Sequence, residues 1–227
     1  MDALQKYLSE WQKLNAWWEH NGDMKDPHVI LSAGDHSTVF MNNGVIAQRN
    51  APLFQQMMRD LVSNHPTLWD DSELQKVDFI VAPAMGGIQM AYALALAIKS
   101  VHGRLVAQYY SEKVEDPITK QVVGMKFTRG APTAGQKGLV FDDVTTSLNA
   151  LLLCCNAVLA TGAEVVGIGS ILNRSPHETA NNGGKELPIH CLVRKDIRNY
   201  KPDDCPHCKA GSKAFRPKEL WGELTKR

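Results

Sequence analysis

A parallel β-sheet covered by helices on both faces, with a smaller hood-like subdomain, is the α/β architecture this sequence predicts. Three observations carry that prediction. From residue 77 onward, short runs rich in Val, Ile and Phe alternate with longer apolar stretches of helical length. The short runs VDFIVA, GLVF and EVVGIGSIL are apolar throughout, as strands buried on both faces are. With 227 residues, 44% of them hydrophobic and 22% charged, the chain can fill one large core and a small appendage.

In chain order, Leu4, Tyr7, Leu8, Trp11, Leu14 and Trp18 recur at helical spacing and predict an amphipathic helix over 3–20. Its three tryptophans, Trp11, Trp17 and Trp18, serve either core packing or a contact with a second copy of the chain. Residues 28–49 mix short apolar runs with Gly, Asp and Asn, which fits two short strands and a turn. Asn50 and Pro52 then open a helix with Phe54, Met57, Met58 and Leu61 facing inward. Strands are predicted at 77–82, 104–110, 138–141, 164–172 and 189–193, and helices at 87–99 and 148–160. The span 111–137 is too polar and broken for a core, so it reads as a mobile working loop. These boundaries give a segment 1–50 for the hood, an α/β core over 51–200 and a C-terminal CxxC tail over 201–227.

The charges balance, with 25 Lys and Arg against 24 Asp and Glu. That argues against a nucleic-acid-binding surface and against a basic membrane patch. The apolar runs are too short to cross a bilayer, and the charged N-terminal stretch MDALQKYLSEWQK does not read as a signal peptide. Five cysteines without a framework spacing point to a reducing compartment, so a cytoplasmic location is expected.

Ligands of open parallel sheets sit at the carboxyl ends of the strands, and two informative stretches fall there. Ala84, Gly86 and Gly87 follow the first core strand, where paired glycines let backbone approach a ligand closely. Asp142 and Asp143 end the third. Adjacent carboxylates at a buried strand end are costly unless something binds them. Thr145, Thr146 and Ser147 then lead into a helix whose free N–H groups and dipole favour a phosphate. Together they describe a holder for a phosphorylated sugar.

LVFDDVTTS resembles the phosphoribosyl-pyrophosphate (PRPP) motif of the type I phosphoribosyltransferases. HVILSAGDHSTVFMNNG, VAPAMGGIQMAYALA and the tail YKPDDCPHCKAGSKAFRPK narrow the resemblance to the orotate phosphoribosyltransferases, over roughly residues 28–218. The resemblance implies the type I phosphoribosyltransferase fold and a homodimer. It also implies transfer of ribose 5-phosphate from PRPP to orotate, giving orotidine 5′-monophosphate and pyrophosphate, in pyrimidine biosynthesis. Mg²⁺ would be held mainly through PRPP. Asp142 and Asp143 would hold the ribose hydroxyls, with Thr145, Thr146 and Ser147 on the 5′-phosphate. Ala84, Gly86 and Gly87 would cradle pyrophosphate, and Lys113, Lys126 and Arg129 would supply cations to it. Thr146, Arg174, Phe40 and Met41 would contact orotate. Two rivals stand beside this reading: a phosphoribosyltransferase for another nucleobase, and an inactive PRPP or nucleotide sensor. The second is motivated by Leu148 and Asn149, which occupy positions the family's phosphate loop often gives to glycine.

Cys205 and Cys208 have half the spacing of a zinc site, with Cys191 and His190 the candidates to complete it. The plainer reading is a packed turn. His36 reads as a local hydrogen-bonding residue, and Cys154, Cys155, Met57 and Met58 read as core.

Overall fold

The computed structural model describes residues 3–63, 76–119, 121–217 and 221. The chain divides into two compact units. One is made of 1–51 with 196–227, and the other of 52–195.

The larger unit is built on a seven-stranded sheet. Its strands are β5 (Phe79–Pro83), β6 (Ala107–Glu115), β7 (Val122–Lys126), β8 (Lys137–Thr145), β9 (Glu164–Asn173), β10 (Thr179–Asn182) and β11 (Lys185–Arg194), in the order β10-β11-β9-β8-β5-β6-β7. The five inner strands are parallel, and β7 and β10 close the two edges antiparallel. Helices α3 (Ala51–Ser63), α4 (Gly86–His102) and α5 (Asn149–Leu159) complete the main elements. Phe54, Met57, Met58 and Leu61 of α3 are all buried, as their spacing predicts.

Phe79, Val140, Leu151, Cys154, Val158 and Ile168 form the centre of an apolar cluster between α5 and the sheet. Each large side chain buried there stabilises the unit by about 1.5–3 kcal/mol. Gly138 lies against Phe79 so closely that a Cβ would stand 2.1 Å from the ring. Helix α4 stops where Gly103 turns left-handed at φ +72° and donates its N–H to Lys99.

The smaller unit contains α1 (Ala3–Lys13), β1 (Trp17–Glu19), β2 (His28–Ile30), β3 (His36–Ser37), β4 (Val39–Met41), α2 (Asn43–Arg49), β12 (Asn199–Tyr200), α6 (Pro206–Lys209) and β13 (Ala214–Phe215). Strand β1 pairs with β4, and a separate four-stranded sheet runs β12-β3-β2-β13. The helix expected over 3–20 ends at Lys13, because Asn15 adopts a left-handed φ of 55° and the Ala16 N–H turns back to Trp11. The bulky pair Trp17 and Trp18 continues as a strand. Trp11 stacks on Tyr7 at 5.9 Å and on Trp17 at 6.0 Å, and all three tryptophans are buried. Core packing is therefore their role.

The expectation of a loop over 111–137 is corrected in its first half. Strand β6 runs on to Glu115 and folds back as β7. Asp116 closes the turn by accepting N–H bonds from Ile118 and Thr119. No helix among the described residues is long and apolar enough to cross a membrane.

Candidate active site

The site is set by topology. From β5 the chain crosses to β6 on one side, whereas β8 lies on the other side and leads on to β9. Neighbouring strands β5 and β8 thus feed connections that run in opposite directions, and a crevice opens where their carboxyl ends part. Pairing between them stops at Val81 and Val140, while β8 runs on to Thr145 beside β9 alone. The acids expected to end the strand therefore lie within it, close enough together for the Asp143 carboxylate to act directly on that of Asp142. Each carboxylate accepts the N–H of the next residue: Asp142 from Asp143 at 2.9 Å, and Asp143 from Val144 at 2.8 Å.

Burial raises the pKa of Asp142 well above the carboxylate range. The charge of Asp143 adds to the rise, and Lys113 opposes it. A carboxyl held partly protonated beside a second acid is unfavourable in isolation, and a ligand bearing hydroxyls or a cation would relieve it.

The turn after β5 meets these acids. A Cβ on Gly87 would come within 2.8 Å of the Ala82 methyl and 3.5 Å of Asp142 Oδ1, so only glycine brings the start of α4 this close. At Gly86 a Cβ would meet nothing within 4 Å, which leaves open space over that backbone. Ala84 donates its N–H to the Ser111 carbonyl, tying the turn to β6.

The start of α5 follows the acids in the chain, after residues 146–148. It has no side-chain cap, and its first i→i−4 bond is the one Leu152 donates to Leu148. The N–H groups of Ala150 and Leu151 come before that bond and point out of the helix start. Thr146 is half-buried and Ser147 exposed, whereas Thr145 is fully buried. Thr145, expected on the phosphate with them, is therefore the deepest of the three. Leu148 takes φ +60°, a conformation glycine adopts without cost, while its side chain packs on the apolar cluster.

No family model matches the chain. An orotate phosphoribosyltransferase of Sulfurovum is 27% identical over 205 residues, covering 84% of this chain and 90% of the relative. One from Thermotoga petrophila is 29% identical over 202 residues, with 88% and 94% covered. Among solved structures, the orotate phosphoribosyltransferase of Aeropyrum pernix superposes with a TM-score of 0.57 at 13% identity, over 83% of this chain and 93% of that one. The chain has the type I phosphoribosyltransferase fold. The resemblance to orotate phosphoribosyltransferases read from four stretches of the sequence is borne out.

Within this phosphoribosyltransferase fold the expected cations separate. Lys113 lies opposite Met125 across the β6–β7 hairpin, and Lys126 lies opposite Glu112. Neighbouring positions alternate, so the two lysines leave the hairpin on opposite faces. Lys113 acts electrostatically on Asp142, whereas Lys126 and Arg129 are exposed. Arg174 follows β9, is 3% exposed, and donates its backbone N–H to Thr145, which puts it beside the end of β8. Burial pushes its guanidinium down to about 10. Asn173 shapes the turn around it, accepting from the Ser175 N–H and hydroxyl and donating to the His177 carbonyl.

Phe40 and Met41, expected beside orotate, lie on β4 in the smaller unit. They alternate along β4, with Phe40 packed on Trp221 at 5.3 Å and Met41 buried opposite Trp17. Burial pushes the Cys154 and Cys155 thiols up to about 12, consistent with inert core residues.

Cys205 and Cys208 are not completed by Cys191 and His190, which sit on β11 in the larger unit. They gather instead around His28 and His36 of their own unit. Burial, with His36, His207 and His20 nearby, pushes His28 down to about 4. A histidine opening the apolar strand HVI and a second eight residues on was the available signal.

Proposed function

We propose that the chain is an orotate phosphoribosyltransferase, transferring ribose 5-phosphate from PRPP to orotate with release of pyrophosphate. The observation that carries this reading is the Asp142 and Asp143 pair at the parting of β5 and β8, next to the uncapped start of α5. Adjacent carboxylates suit vicinal hydroxyls. A helix start suits a phosphate within one ribose of them.

In this reading Asp142 and Asp143 hold the ribose hydroxyls, and Thr146, Ser147 and the amides of Ala150 and Leu151 hold the 5′-phosphate. The open backbone at Gly86 receives pyrophosphate, with Lys113 as the cation whose charge acts on Asp142. Positive charge grows on the ribose as the bond to pyrophosphate lengthens, as in other glycosyl transfers. A carboxylate pair beside the sugar stabilises that charge, and Lys113 stabilises the departing oxygens. The oxygen-only donors of Asp142 and Asp143 fit a hard cation such as Mg²⁺, which supplies charge neutralisation to the pyrophosphate when bound. Arg174 offers a fork for the orotate carboxylate or ring oxygens. A second copy of the chain is the expected partner, and Tyr92 and Leu96, exposed one turn apart on α4, offer it an apolar face. Five unpaired cysteines fit a cytoplasmic location.

One observation favours the sensor reading: the left-handed, non-glycine Leu148 stiffens the loop next to the phosphate position. The assay that separates the readings uses PRPP, magnesium and orotate. Loss of orotate with equimolar pyrophosphate supports transfer. Turnover with another base alone reassigns the substrate. PRPP binding without turnover of any base makes the chain a sensor.

A further inference from the structure

The four side chains gathered in the smaller unit are drawn from distant parts of the chain. His28 opens β2 and His36 opens β3, on the two arms of a hairpin. Cys205 precedes and Cys208 lies within α6, up to 180 positions later in the sequence. One ligand atom from each lies within 4.8 Å of every other. His28 Nε2 is 3.0 Å from His36 Nδ1, 3.5 Å from Cys205 Sγ and 3.3 Å from Cys208 Sγ, and His36 Nδ1 is 3.3 Å from Cys208 Sγ. Three of the four residues are buried.

Hydrogen bonding alone does not account for this convergence. The Ser212 hydroxyl donates to the Asp26 carbonyl at 2.6 Å, so towards His28 it accepts, and His28 Nδ1 is the donor at 2.8 Å. That fixes the tautomer and leaves Nε2 with a single lone pair. Three polar atoms crowd that one lone pair. One lone pair facing two thiols and a second imidazole is the arrangement of a ligand set around a common centre. The chain Asp26–Ser212–His28 is the kind of outer support that orients a ligating imidazole.

We propose that His28 Nε2, His36 Nδ1, Cys205 Sγ and Cys208 Sγ bind a structural zinc ion. Two imidazoles and two thiolates form a closed tetrahedral donor set for zinc, without a fourth position open for catalysis. Zn–N bonds of ~2.0–2.1 Å and Zn–S bonds of ~2.3 Å place tetrahedral ligand atoms roughly 3.3–3.8 Å apart. The four separations given above, 3.0–3.5 Å, are slightly shorter and no pair exceeds 4.8 Å, so the cluster adjusts by small shifts to accept the ion. On binding, the two thiols lose their protons to solvent, and each imidazole binds through an unprotonated ring nitrogen.

The ion has a structural task there. The sheet β12-β3-β2-β13 is made of strands of two or three residues, too short to hold its segments by pairing alone. Zinc ties the β2–β3 hairpin to the segment from β12 to β13. The inference stands independently of the reaction proposed above.

The test is elemental analysis of the full-length protein purified without chelator from zinc-supplemented cells. About one zinc per chain is expected, falling several-fold in His28→Ala and in Cys208→Ser and staying unchanged in Cys191→Ser. Should those variants fail to fold, X-ray absorption at the zinc edge of the wild-type protein decides. Two sulfur and two nitrogen neighbours support the site. A metal-free protein, a metal other than zinc, zinc unaffected by folded His28 and Cys208 variants, or a zinc shell without sulfur overturns it. Zinc content is read without any turnover, so its failure is distinct from failure of the transferase assay.

Discussion

The two units solve opposite problems. In the larger one, an apolar sheet of seven strands and its helices stand on buried side chains such as Phe79, Val140 and Ile168. Near the end of β8, the buried carboxyl of Asp142 detracts from that stability. In the smaller unit the strands are two or three residues long, and the polar residues His28, His36, Cys205 and Cys208 lie at the centre. The lesson is that costly polar groups mean different things by position. At the rim of a self-sufficient core they await a ligand that comes and goes, whereas inside a thin core they are the core's fastening.

The largest expected effect sharpens that contrast. Stripping metal from the intact chain with a strong chelator should cost the smaller unit several kcal/mol. Hydrogen exchange should then accelerate in segments 28–37 and 199–215, while β5, β8 and β9 keep their protection. Equal loss in both units would break the comparison.

Next is Asp143→Asn. Losing a charged partner for the ribose is worth about 1.5–3 kcal/mol, so PRPP-dependent turnover should fall roughly 10- to 100-fold while thermal stability barely moves. A large drop in melting temperature with turnover intact would mean that the acid is structural.

Gly87→Ala should cost about 1–3 kcal/mol, because its Cβ would press on Ala82 at 2.8 Å and push α4 away from Asp142. Denaturant unfolding measures it, and an unchanged midpoint would show that the close approach is not needed.

A smaller effect concerns pH. The folded Asp142 keeps a proton that the unfolded chain gives up near pH 4. The folded state therefore binds more protons across the window from that pH up to the raised value, and stability declines as pH rises through it. Asp142→Asn should flatten the decline, as read by melting temperature against pH; an unchanged slope would contradict the assigned cause.

Smallest is Leu148→Gly. Relief of ~1–2 kcal/mol of left-handed strain is offset by the lost packing of the leucine, for a net change below about 1 kcal/mol. Turnover should stay within a few-fold, since backbone amides hold the phosphate in this account.

What was legible in the sequence follows the same division. Buried parallel strands declare themselves by unbroken apolar runs, so β5, β8 and β9 and the crevice between them could be read from GLVF, VDFIVA and their flanking letters. Edge strands β7 and β10 were not, because TANN and VVGMK pair on one side only and need no apolar pattern. Trp17 and Trp18 fit a helical stripe as well as a strand, and only the left-handed Asn15 decides between them. The separation of Lys113 from Lys126 depends on hairpin register, which composition does not encode. No spacing marks His28 and His36 as partners of Cys205 and Cys208, because proximity across up to 180 positions is a property of the fold.

The central claim is that the ends of β5 and β8 with the start of α5 form the binding site for a phosphorylated ribose. Hydrogen exchange of the wild-type protein with and without PRPP and magnesium tests it most directly. New protection is expected to be confined to 84–87 and 142–151, with the segments around His28 and Cys208 unchanged. Protection elsewhere, with those two stretches exchanging as before, would contradict it.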